Sequence, residues 1–120
     1  MLLSAMTVIL VENNSPMLEL YTRELSKKFR MLSFSDTEGV LDAIETKTIL
    51  AVIMEVELPS GKGWELLKTI KQNFDFPLIL FSTMDIRKKA LEAKVDAYLQ
   101  KPVSPATLTE TLIQVCGLIN

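Results

Sequence analysis

A chain of 120 residues is long enough for one domain with a real core and too short for two. Its 48% hydrophobic and 23% charged residues argue against disorder, and a net charge of −2 gives no electrostatic footprint for binding nucleic acid. The chain has no histidine, the usual general base and metal ligand, and its one cysteine, Cys116, excludes an internal disulfide framework and fits a reduced, cytoplasmic setting.

The opening Met1-Leu2-Leu3-Ser4-Ala5-Met6 lacks the basic start of a signal peptide, and no apolar run reaches the length that crosses a bilayer. Thr7 to Val11 is a β-branched apolar run and reads as a buried strand ending at Glu12-Asn13-Asn14. Ser15-Pro16 gives a helix start, with Ser15 as cap and Pro16 first in the helix. Leu18, Tyr21, Leu25 and Phe29 then mark one helical face. Met31 to Phe34 reads as a brief strand, and Asp36 as the cap of a second helix with Val40, Leu41 and Ile44 inward, weakened by Gly39. Ile49 to Met54 is a continuous apolar run, as suits a strand buried on both faces; Glu55 stands at its carboxyl end.

A third helix is expected from about Gly63, with Leu67, Ile70 and Phe74 inward. Pro77 to Phe81 is a fourth strand, and Ser82-Thr83-Met84-Asp85 has the pattern of a capping box opening a fourth helix. Ala97 to Leu99 is a fifth strand. Ser104-Pro105 repeats the cap-and-proline signal for a last helix, with Leu108, Leu112, Cys116 and Ile119 along one side.

Strand alternates with helix five times, with short connections and no repeat or linker. That order predicts an α/β domain: a parallel sheet with helices on both faces, joined by right-handed crossovers. In such sheets a site forms beyond the carboxyl ends of the strands, where strand order reverses. The rule selects Glu12 and Asn13, Glu55, Ser82 and Thr83, and Lys101 and Pro102. Taken singly, Ser82 reads equally as a helix cap, Lys101 as a solvated lysine and Glu12 as a strand-end charge. The Gly61-Lys62-Gly63 stretch lacks the spacing of a phosphate-binding loop and reads as a turn. Arg87-Lys88-Lys89 reads as a solvated helix face or a partner surface.

In this order and spacing, VILVENN at 8–14, VIMEVELPSGKGWELL at 52–67, PLILFST at 77–83 and DAYLQKP at 96–102 resemble the CheY-like receiver domain of bacterial response regulators. The resemblance spans nearly the whole chain. It implies a flavodoxin-like (βα)5 three-layer sandwich with strand order 2-1-3-4-5, one receiver domain over residues 1–120, and an aspartate phosphorylated in trans with Mg2+ held by an acidic pair. Carried over by position, it makes Lys101 the family's lysine, followed by Pro102 at a cis peptide, and Ser82 the hydroxyl that bonds the phosphoryl group. Tyr98 falls at the aromatic switch. Glu12 and Asn13 fall on the acidic pair, with Asn13 an amide in place of the second acid, and Glu55 falls on the phosphoacceptor itself.

The chain's five aspartates, Asp36, Asp42, Asp75, Asp85 and Asp96, all lie away from these strand ends. A glutamate nucleophile carries an extra methylene, and a misplacement of about 1 Å can cost on the order of 10²-fold in rate. Mg2+ prefers octahedral oxygen ligands, and here Glu12, Glu55 and Asn13 form a set with fewer charges, so Mg2+ binding is expected to be weak or lost. The expectation is a receiver of a two-component phosphorelay with a degenerate pocket. It would act as a phosphorylation-independent or constitutively set interaction module, and not as an enzyme beyond residual self-phosphorylation. The alternative is an active phosphoacceptor. Expected partners are a sensor histidine kinase or a downstream effector, with a homodimer open, and neither nucleic acid nor membrane is expected to be bound directly.

Overall fold

The longest aliphatic runs become the centre of a sheet because only a doubly covered strand can bury every side chain. In the computed structural model, which describes residues 6–118, these are β1 (Thr7–Val11) and β4 (Leu78–Ser82), buried at every position, and β3 (Ile49–Met54), buried over its last four. The less buried β2 (Arg30–Phe34) and β5 (Ala97–Gln100) form the edges. All pairs are parallel and the order is β2-β1-β3-β4-β5, so the strand order reverses between β1 and β3.

Successive residues of a strand point to opposite faces, and the core divides accordingly. Ile9, Val11, Val52, Met54, Leu78 and Leu80 face α2 (Val40–Thr46), α3 (Gly63–Asn73) and α4 (Arg87–Glu92). Val8, Leu10, Ile53, Ile79 and Phe81 face α1 (Ser15–Leu25) and α5 (Pro105–Val115) through Tyr21, Leu25, Leu108 and Leu112. The result is the helix-covered parallel sheet expected from the alternation, with the flavodoxin-like strand order that the resemblance implies. Each fully buried Leu, Ile or Phe in it contributes roughly 1.5–3 kcal/mol relative to exposure.

The helix starts depart from the sequence reading in three places. At α1 the cap is Asn14, not Ser15: Asn14 has extended backbone and its Oδ1 accepts from the Met17 N–H at 3.1 Å, so Ser15 is already helical. Asp36 does not cap α2. Its carboxylate accepts from the Thr37 N–H at 2.7 Å and then reaches across to the Ser60 N–H (2.8 Å) and hydroxyl (2.6 Å), while α2 begins at Val40 after Gly39, whose φ of +86° only glycine adopts freely. Ser82-Thr83-Met84-Asp85 is not a helix cap either. Ser82 is the last residue of β4, its hydroxyl accepts from the Met84 N–H at 3.2 Å, and α4 starts only at Arg87. Ser104 caps α5 as expected, accepting from the Thr107 N–H at 3.0 Å. Phe29 and Phe74 pack inward from just beyond their helices, and Ile119 lies outside the described residues.

Candidate functional site

Register brings the site together. Val11 pairs with Met54, and the ladder runs one residue further, with the Glu12 N–H donating to the Phe34 carbonyl and the Glu55 N–H to the Val11 carbonyl, each at 3.0 Å. The two carboxylates therefore leave adjacent strands side by side. Ser82 pairs with Gln100, and the Lys101 N–H donates to the Ser82 carbonyl at 2.8 Å, which carries Lys101 to the same end of the sheet. The Lys101–Pro102 peptide bond is cis.

Lys101 fills the space between the acids. Its Nζ donates to Glu12 Oε1 and, at 3.1 Å, to Glu55 Oε1. The second oxygen of each carboxylate is taken by main-chain N–H groups. Glu12 Oε2 accepts from Asn14 at 2.8 Å, and Glu55 Oε2 accepts from Val56 at 2.8 Å and Glu57 at 3.0 Å. Glu12, Glu55 and Lys101 are 1%, 3% and 8% exposed, so the triad is a buried cluster with a formal charge of −1. Burying such charges costs several kcal/mol per ion, and only close pairing with every lone pair engaged offsets it. The aromatic ring of Phe81 completes the enclosure, 4.4 Å from Nζ, and a cation over an aromatic face gains further stabilisation.

The surrounding residues fix this arrangement. Tyr21, tilted against Phe81, donates its hydroxyl to the Val103 carbonyl at 2.6 Å and so anchors the chain just after the cis peptide. Burial raises the Tyr21 phenol above its usual range, partly countered by the Lys101 charge, which keeps the hydroxyl a donor. The loop that carries Val56 and Glu57 is closed at both ends. Asp36 grips Ser60, and Gly63 lies so close to Val56 that an added Cβ would stand 1.9 Å from its carbonyl oxygen.

The remaining predicted residues lie around the triad with other partners. Ser82 is completely buried at the end of β4, but its hydroxyl serves the Met84 N–H and no bond joins it to Glu55. Tyr98 is half-buried against the α3–α4 side of the core. Its hydroxyl donates to the Met84 carbonyl at 2.9 Å and accepts from the Ile86 N–H at 3.2 Å, tying β5 to the loop after β4. Asn13 is exposed, and its side chain makes no hydrogen bond to the triad. All four oxygens of Glu12 and Glu55 already accept from protein donors, and no cluster of three or more acidic, thiol or imidazole side chains suited to a metal occurs among the described residues. The side chains present thus do not fit the open, octahedral oxygen set that Mg2+ prefers. Sequence reasoning missed Asn14, Phe81, Tyr21 and the Asp36–Ser60 clamp. The only available signal was proximity to selected positions, since Asn14 follows the Glu12 strand end and Phe81 precedes Ser82.

Comparison with known proteins bears on the fold and family. Residues 8–113 match the model of the response regulator receiver domain. The heme response regulator HssR of Staphylococcus saprophyticus is 27% identical over 100 residues, 80% of this chain and 45% of the relative. The response regulator protein GraR of Staphylococcus haemolyticus is 30% identical over 101 residues, 81% of this chain and 45% of the relative. The chain thus spans less than half the length of these curated relatives. Among solved structures, a response regulator receiver protein from Burkholderia phymatum superposes with a TM-score of 0.83 at 23% identity, covering 96% of this chain and 98% of that one. A CheY-like receiver domain from Methanospirillum hungatei gives 0.84 at 22% identity, covering 95% of each, and both structures speak to the fold alone. With the matched model covering β1 from Val8, the other four strands and the candidate pocket at the strand ends, the chain belongs to the response regulator receiver domain family.

Proposed function

We propose that this receiver is neutralised from within and acts as a protein-interaction module of a two-component phosphorelay without itself taking a phosphoryl group. The observation that carries the reading is Lys101 bridging Glu12 and Glu55 while main-chain N–H groups take the two remaining oxygens. A nucleophilic oxygen must point at the incoming phosphorus, and Glu55 Oε1 is instead directed at the Lys101 ammonium. Lys101 offsets one of the two carboxylate charges and engages an oxygen of each, which leaves a formal charge of −1 and a weaker site for Mg2+ than three acids would make.

The same arrangement supports a constitutively set state. Glu55 reaches Lys101 and the Glu57 N–H as a partial substitute for a modified aspartate, and Tyr98 is tied to the β4–α4 loop. The imitation is incomplete, because a carboxylate carries −1 and two oxygens against about −2 and three acceptors for a phosphoryl group. The partners are then proteins, a sensor histidine kinase or a downstream effector, with self-association as a further mode, in the cytoplasm. None of the helices among the described residues is long and apolar enough to cross a membrane.

A second reading keeps the domain an active phosphoacceptor, with Mg2+ and a kinase-derived phosphoryl group; the presence of Ser82, Lys101 and Tyr98 at the strand ends favours it. Intact-mass measurement after incubation with acetyl phosphate and Mg2+ separates the two. The neutralised pocket predicts an unchanged mass for the wild type and partial labelling of Glu55→Asp combined with Asn13→Asp. A stoichiometric gain of one phosphoryl group by the wild type, abolished in Glu55→Gln, would establish the second reading.

A further inference from the structure

On the far side of the domain from α1 and α5, α3 and α4 leave a groove of about 590 Å³ between them. Its α3 wall carries Trp64, Leu67, Lys68 and Lys71, residues three and four apart that share one helical face, and its α4 wall carries Lys89 and Glu92. The accessible floor is apolar, formed by the half-buried Trp64 and Ala93 backed by the fully buried Leu67. The rim is basic: the three lysines face only one lining acid, Glu92, on a chain whose net charge is −2. Lys71 is shared with Asp96 at 3.5 Å, but Lys68 has no partner among the described residues, and Lys89 has only the Trp64 ring, 5.7 Å below its Nζ.

We infer that this groove docks an acidic protein segment that carries an aromatic or large aliphatic side chain. The apolar floor accepts the hydrophobic side chain, as a helix or turn lays an anchor into a groove. Carboxylates on either side meet Lys68 and Lys89, drawing the latter from its cation–π seat into an ion pair while its stem goes on covering Trp64. A basic or neutral segment would leave the lysines unmatched. A nucleic acid strand would meet the net negative charge of the rest of the domain. A nucleotide base would have to displace Lys89 from the Trp64 ring before stacking there. The segment belongs to a partner of the receiver, and the inference stands whether or not the pocket at Glu55 takes a phosphoryl group.

Trp64 is the only tryptophan of the chain and sits in the groove, so its fluorescence reports occupancy directly. The probe is a short synthetic peptide of glutamates flanking one phenylalanine, titrated into the 120-residue chain at low ionic strength. A saturable change in Trp64 emission is expected. It should weaken about tenfold or more in Lys68→Glu combined with Lys89→Glu, weaken with added salt, and persist in Lys47→Glu, an exposed lysine outside the groove. Circular dichroism of the double variant verifies its fold; if that variant is unfolded, Lys68→Gln with Lys89→Gln is read in its place. No saturable change in the wild type overturns the inference, as does equal affinity in the groove variants. ATP saturating the signal at lower concentration than the peptide also overturns it, in favour of a nucleotide site.

Discussion

Lys101 holds the balance of the pocket, because it is the sole cation between two buried carboxylates. Lys101→Met keeps the length of the stem and its contact with Phe81 but leaves Glu12 and Glu55 facing each other without compensation. Removing one member of a buried ion cluster costs about 3–5 kcal/mol, more than the cluster contributes relative to apolar residues of similar size. Chemical denaturation should register that loss for Lys101→Met and recover most of it when Glu12→Gln and Glu55→Gln are added. A loss below about 1 kcal/mol in the single variant would mean that the carboxylates reach solvent or take up protons at little cost, and that Lys101 does not neutralise the pocket.

Asp36 shows how a loop is held by one side chain joining two strand ends. Its three hydrogen bonds tie the segment after β2 to the segment after β3, and the Ser60 hydroxyl is the largest influence holding its carboxyl below the ordinary value of 3.8, followed by burial acting the opposite way and then the Thr37 and Ser60 N–H groups. A carboxylate whose folded pKa is lowered stabilises the fold above its unfolded pKa, and that contribution is lost as pH falls through the folded value. Urea unfolding should therefore show Asp36→Asn less stable than the wild type near neutral pH, with the gap narrowing as pH falls below the ordinary carboxylate value of 3.8. A gap that widens in acid would reverse the sign and exclude the clamp.

Asp36 also marks the limit of what could be read in advance. Asp-x-x before an apolar run is a sound helix-start pattern, but it cannot reveal donors 24 residues away at Ser60. Ser82 misled for the same reason: its spacing to Asp85 suits a cap, while burial at the end of β4 gives its hydroxyl to the Met84 N–H. Ile53, Leu10 and Leu80 were legible as centre-strand residues because unbroken aliphatic runs have few other uses, and all three are fully buried. Glu12, Glu55 and Lys101 were legible as strand ends. That Lys101 takes an oxygen from each acid depends on side-chain geometry, which strand pattern does not encode.

For the molecule as a whole, the sheet brings Glu12, Glu55 and Lys101 to one end, and the loop after β3 closes on Glu55 through its N–H groups. Anything that binds the folded state alone stabilises it by RT ln(1 + [L]/Kd), so a receiver with a working metal site melts higher in Mg2+. Thermal unfolding of this protein should be the same in EDTA and in about 10 mM Mg2+ within the ionic-strength effect, which a matched concentration of another salt defines. A rise specific to Mg2+ would show that the cation displaces Lys101 from the carboxylates.

The central claim is that Glu55, held by Lys101 and the loop N–H groups, sets the position of the loop to which Tyr98 is tied. NMR of the Tyr98 ring and of the Met84 and Ile86 amides, compared between the wild type and Glu55→Ala, tests it most directly. The account predicts clear shifts in all three on removal of the carboxylate, as Lys101 turns wholly to Glu12 and the β4–α4 loop relaxes. An unchanged Tyr98 environment in a folded Glu55→Ala protein would contradict it, leaving Glu55 as a buried partner of Lys101 that sets no state.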